Sequence, residues 1–118
     1  ACGDAAGVIE ARLALGETIP GFGKSVYRDA DPRGPELMSG VRLDPTMKAT
    51  LKATRSLAGG EPNVDFGLLA IERAFDLPRG AALSLFALGR SVGWIAHAFE
   101  QASAGTLIRP RAEYVLGE

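Results

Sequence analysis

Apolar positions along the chain recur every three to four residues and nowhere alternate over a useful length, so the pattern predicts helices and no strand. Ala5, Val8, Ile9 and Leu13 mark a first amphipathic helix between Asp4 and Gly16, with Gly16 as its stop. From Thr18 to Arg33 the breakers Pro20, Gly21, Gly23 and Pro32 predict an ordered loop, with at most a short helical turn near Tyr27. PELMSGVR predicts a short helix ending near Gly40. In the next stretch Asp44 reads as an N-cap, Pro45 as a first helical residue and Gly59-Gly60 as terminator. PNVDFGLLAIERAFDLP follows, with Asn63 as cap and Val64, Leu68, Ile71 and Phe75 as its apolar stripe. The longest helix runs from near Gly80 to before Gly105, and its Gly89 and Gly93 would let a second helix approach closely. LIRPRAEYVLGE closes the chain as an irregular tail, and the class is all-α.

At 118 residues the chain is long enough to bury roughly two-thirds of its unfolded surface without metals or disulfides. Thirteen basic and fourteen acidic residues give a net charge of -1, so the whole chain has no electrostatic reason to bind nucleic acid or an anionic membrane. Any anion site is therefore local. Cys2, the single cysteine, forms no intramolecular disulfide and fits a reducing compartment, where it is expected to be inert. Asp4, Glu10, Arg12 and Glu17 interrupt the first twenty residues, which therefore do not read as a signal peptide, and cytoplasmic residence is the expectation. The absence of an initiator methionine suggests an excerpt or processed product, or methionine removal before Ala1. The apolar run Ala81 to Phe99 contains Arg90 and His97, which would be costly in lipid and argue against a membrane helix.

The polar residues that invite a chemical reading are Lys24, Arg28, Arg33, Asp65, Arg90, His97, Arg109 and Arg111. Asp65 falls in the first turn of a helix, where the dipole favours a carboxylate, so on spacing alone it reads as a capping group. Arg90 sits among Leu85, Phe86, Leu88, Trp94 and Ile95, and needs either a carboxylate partner or a polar cleft. His97 reads as structural. With one histidine, the chain holds no self-contained zinc site and no histidine-activated nucleophile pair, and no metal is expected.

Three motifs in order sharpen this picture. The glycine loop GFGKSVYRDADPR, the helix start PNVDF, and FALGRSVGWIAHAFEQ leading to IRPRAEY resemble the citrate synthases and their 2-methylcitrate relatives. The resemblance covers nearly the whole chain and is to the C-terminal third of such an enzyme. It implies a small helical domain over residues 1–78 and, over 79–118, a long helix and tail returning to a large domain. It implies further that Asp65 is the general base that takes a proton from the methyl group of an acetyl thioester. By the same resemblance Arg33, Arg90 and Arg109 clamp the carboxylates of oxaloacetate and citrate, the last across a dimer interface. Arg28 would contact coenzyme A phosphate, while the loop with Gly21 and Gly23 wraps the adenine end. Acetyl-CoA or coenzyme A is implied as a ligand, not as a tightly bound cofactor.

Lys24 departs from the family pattern, which has a histidine there to hydrogen-bond the ketone oxygen of oxaloacetate. A flexible ammonium near Arg28 and Arg33 lacks the fixed geometry of an imidazole. A second family histidine belongs to a motif that would precede Ala1. Losing one oxyanion donor typically costs about a hundredfold in rate, so the isolated chain is expected to be inactive. Three readings follow: a family fragment or split-enzyme chain that binds dicarboxylate or acyl-CoA and lacks its N-terminal partner; a non-catalytic helical dimerisation module; or an enzyme whose Lys24 serves another carbonyl substrate.

Overall fold

A computed structural model describes residues 4–23, 27 and 30–105 of the chain. Five α-helices follow one another: α1 (Ala5–Ala14), α2 (Arg33–Ser39), α3 (Pro45–Ala58), α4 (Val64–Ala74) and α5 (Ala81–Ala104). Among the described residues the only extended pairing is an isolated antiparallel bridge between Phe22 and Pro62. The class is therefore all-α, as the periodicity predicts. The chain divides into two compact units, Ala1–Ala87 and Leu88–Glu118, with the boundary inside α5.

Local chemistry explains where most helices begin and end. The Asp4 carboxylate accepts from the Gly7 amide at the start of α1, and Gly16, with φ +73°, lies just beyond its end. Asp44 accepts from the Met47 amide at 2.9 Å, Pro45 opens α3, and Gly59 adopts the left-handed conformation at its close. Asn63 caps α4 by accepting from the amides of Asp65 and Phe66. α2 begins differently, because Pro32 supplies no side-chain cap and Asp31, one residue earlier, accepts from the Arg33 amide instead.

Within the first unit α1 packs on α3 and α2 on α4. Met47, Phe66 and Ala70 form the buried centre, with Phe22, Met38, Val41, Leu43 and Leu51 packed around it. The rings of Phe22 and Phe66 lie 4.8 Å apart and tilted by 56°, a favourable aromatic geometry. The closest approach of backbone is at α2 and α4. A methyl group at Gly34 would collide with the carbonyl oxygens of Pro62 and Asn63, the latter at 2.6 Å, and one at Gly67 would stand 2.9 Å from Leu37 Cβ.

The burial pattern of α4 corrects the predicted stripe. Phe66, Gly67, Leu68, Ala70 and Glu72 are buried, whereas Phe75 is 65% exposed at the C-cap position. The inward face thus includes two small residues, Gly67 against Leu37 of α2 and Ala70 at the buried centre, which a count of large apolar side chains passes over. Glu72 is buried because it has work for its charge: its carboxylate accepts from the amides of Gly80 and Ala82 and so caps the start of α5.

α5 contrasts with the rest. It has no buried residue, and Leu83, Leu88, Val92 and Phe99 are each more than two-thirds exposed. By length and composition it is long and apolar enough to cross a membrane. Arg90 is exposed and makes no ion pair among the described residues. Its guanidinium lies over Gly93, where an added methyl would meet Nη1 at 2.7 Å, and nothing stands over Gly89 among the described residues. No second helix stands over either glycine among the described residues.

Candidate functional site

Of the sequence-predicted site residues, Gly21, Gly23, Arg33 and Asp65 lie around the N-terminal end of α4. Gly21 and Gly23 have φ of +82° and +94°, a conformation that glycine adopts without strain, and they turn the loop back on itself around Phe22. Asn63 donates its amide to the Gly21 carbonyl at 3.0 Å, and Gly23 donates its amide to the Glu61 carbonyl at 3.0 Å. The glycine loop is thereby fixed to the segment that leads into α4. Lys24 and Arg28, the next candidates along this loop, lie outside the described residues, as do Cys2, Arg109 and Arg111.

Arg33 reaches the same place from the other side. Its Nε donates to Asp31 Oδ1 and its Nη2 to Asp31 Oδ2, both at 2.9 Å, forming a two-pronged ion pair. The same carboxylate accepts from the Arg33 amide at 3.0 Å and, across 33 residues of sequence, from the Val64 amide at 3.0 Å. Asp31 is only 4% exposed. One buried carboxylate thus ties the DPR turn to the first residue of α4, which is followed by Asp65. The Tyr27 ring lies beside the guanidinium, 5.1 Å from Arg33 Cζ to the ring centroid, within cation–π range.

The charges follow from this geometry. The side-chain bond from Arg33 holds the Asp31 carboxyl below its ordinary range, against burial, with further help from the Val64 and Arg33 amides. Arg33 is held charged chiefly by its bond to Asp31, and the more distant carboxylate of Asp65 adds to the effect. Asp65 itself is exposed, with its amide bonded to Asn63 Oδ1 at 3.0 Å. Asn63 is therefore the capping group, which leaves the Asp65 carboxylate outside the cap.

Arg90 and His97 belong to the second unit, where His97 Nδ1 lies 3.1 Å from Glu100 Oε2, one helical turn away. Two shallow surface hollows, one between α1 and α3 beside Lys52 and Leu57 and one along α3 beside Lys48 and Arg55, contain no candidate site residue. No group of three or more potential metal ligands occurs among the described residues. Sequence reasoning missed Asp31, Gly34 and Glu72. The signal for Asp31 was available: an Asp two residues before the first residue of a helix commonly accepts from that residue's amide. Gly34 and Glu72 left no such signal, since their roles depend on which helices meet.

Comparison with known proteins bears on the whole arrangement. The family model described as citrate synthase, C-terminal domain, matches residues 2–111. A 2-methylcitrate synthase of Mycobacterium tuberculosis is 36% identical over 126 residues, covering 90% of this chain and 30% of the relative. A citrate synthase of Haloferax volcanii is 33% identical over 115 residues, covering 86% of this chain and 30% of the relative. Citrate synthase 2 of Bacillus subtilis is 30% identical over 123 residues, covering 90% and 31% respectively. The chain spans about a third of the length of the curated relatives it matches. With the family's C-terminal domain matched across nearly all of its length, and the glycine loop, the DPR turn and the PNVD helix start gathered at one end of α4, the chain belongs to the citrate synthase family.

Proposed function

We propose that this chain is a ligand-gripping portion of citrate-synthase-type machinery, built for the condensation of an acetyl thioester with a keto dicarboxylate but inactive as an isolated chain. The observation that carries the reading is Arg33, fixed as a cation by Asp31 at the helix start that presents Asp65. A forked guanidinium grips a carboxylate, and an exposed carboxylate beside it is placed to remove a proton from a neutral carbon acid. In this reading Asp65 is the base, Arg33, Arg90 and Arg109 bind the dicarboxylate, and Arg28 with the loop of Gly21 and Gly23 takes coenzyme A. Residues 1–78 act as the small domain and 79–118 as the segment that returns to a large domain. The setting is cytoplasmic, and the working form is a dimer or a complex with an N-terminal partner.

The proton transferred to Asp65 leaves an enolate that needs a hydrogen-bond donor, and the keto oxygen needs another as the carbon–carbon bond forms. Lys24 stands where the family pattern has a histidine, and His97, the single imidazole, is paired with Glu100 on α5. Condensation is therefore expected to fail in the chain alone. Release of free thiol from acetyl-CoA and oxaloacetate reports it directly: the chain alone gives none, and a separately made N-terminal segment restores it. Calorimetry of coenzyme A against the chain, with Arg28→Ala as control, checks the binding half. No heat at millimolar ligand would contradict it.

A second reading is favoured by one observation, the exposed apolar side chains of α5. Large apolar surfaces invite association, which suits a dimerisation module. Light scattering at rising concentration separates the two, since a clean monomer disfavours the module.

A further inference from the structure

We propose that Asp31 is a positioning residue for carboxylate recognition: it acts through Arg33, setting the direction in which that guanidinium meets a ligand and locking it to the start of α4. The inference rests on the reading of Arg33 as a carboxylate grip.

Four hydrogen bonds converge on this one buried side chain. Two come from the Arg33 guanidinium and one from its amide, so the position of Arg33 along the turn and the plane of its fork are set by the same group. The fourth, from Val64, joins that assembly to the helix carrying Asp65. Because Asp31 takes Nε and Nη2, Nη1 stays outside the pair, and the Arg33 side chain remains 43% exposed. Tyr27 stands over the guanidinium and limits its rotation. The result is a guanidinium with one edge committed to Asp31 and a side chain still partly open to solvent. A long side chain normally surrenders several rotamers when it binds, and here Asp31 has already removed much of that freedom. Asp31 itself is too buried to touch a ligand, which separates its role from that of Arg33.

The test uses the full chain labelled with nitrogen-15 and citrate as probe. Citrate is expected to shift the Arg33 Nε–H resonance, and Asp31→Asn, which keeps the shape and removes the charge, is expected to weaken citrate binding roughly tenfold. In an Arg33→Gln background the same substitution is expected to change affinity by less than about twofold, because a residue acting through Arg33 loses its effect when Arg33 is gone. Equal loss in both backgrounds, or an Asp31→Asn chain that binds like the wild type, overturns the proposal. Should Asp31→Asn fail to fold, Arg33→Lys answers the question instead: an ammonium cannot accept two-pronged alignment by Asp31, and undiminished citrate affinity in that variant overturns the proposal. A wild-type chain whose Arg33 Nε–H is protected from exchange yet unmoved by citrate also overturns it, and places the fault in the carboxylate reading and not in the Asp31 geometry.

Discussion

The α2–α4 junction and helix α5 use apolar sequence in opposite ways. At the junction, small residues bring backbones together, Gly34 against Pro62 and Asn63 and Gly67 against Leu37, and a buried carboxylate bonds across the seam. α5 has the larger apolar side chains and buries none of them. Hydrophobicity by itself therefore does not mark the ordered centre of this molecule. What distinguishes the junction is that each buried polar group there has its partners and each close approach has a glycine to permit it.

Substitutions on the two sides should differ accordingly. Phe66→Ala removes the ring that meets Phe22 at the buried centre, and is expected to cost about 4 kcal/mol, measured by urea unfolding. Gly34→Ala adds a helix-favouring methyl, yet that methyl meets backbone oxygen that cannot rotate away. The collision outweighs the propensity gain of about 1 kcal/mol, and a net loss of about 2 kcal/mol is expected in the same assay.

Asp44→Ala removes the cap of α3 together with the ion pair to Arg73, and is expected to cost about 1 kcal/mol. Acid tests the same carboxylates without substitution. Asp31, through Arg33, and Asp44, through the Met47 amide, both titrate below the ordinary value of 3.8 in the folded chain. Since their folded-state values are depressed, the stability they add is fully present above the ordinary range. It shrinks as pH falls past about 4 and is gone once pH has dropped through the folded-state values. Unfolding midpoints measured from pH 6 down to pH 2 should show this loss, and it should be smaller in Asp31→Asn and Asp44→Asn. The smallest effect belongs to α5: Leu88→Ser, at a residue 71% exposed, is expected to change stability by no more than about 0.5 kcal/mol. A larger loss would show that α5 is covered in solution.

The same contrast explains what was legible in the sequence. Helix ends governed by neighbouring residues could be read directly: Asp44 with Pro45, Asn63 before Asp65, and Gly59 in the left-handed region all stand where local chemistry puts them. The inward face of α4 was harder, because Gly67 and Ala70 pack inward through their smallness while Phe75 lies past the last full turn. Arg90 was expected to need a carboxylate or a polar cleft because its neighbours are apolar, whereas Leu88, Trp94 and Ile95 around it are themselves exposed. At the candidate site the order of motifs pointed to Arg33, Asp65 and the two loop glycines. The local bond of Asp31 to the Arg33 amide was readable, but its bond to Val64 emerges only when α4 is placed beside the turn, since it joins residues 33 apart.

Amide hydrogen exchange at Val64, compared with the α5 amides from Leu88 onward, tests most directly whether the junction is built in advance of any ligand. The Val64 amide donates to a buried carboxylate and should exchange only when the first unit unfolds as a whole, while the α5 amides should exchange through smaller local openings. Exchange at Val64 as fast as that along α5 in the ligand-free chain would contradict a prebuilt junction, and with it the fixed Arg33 on which the functional reading stands.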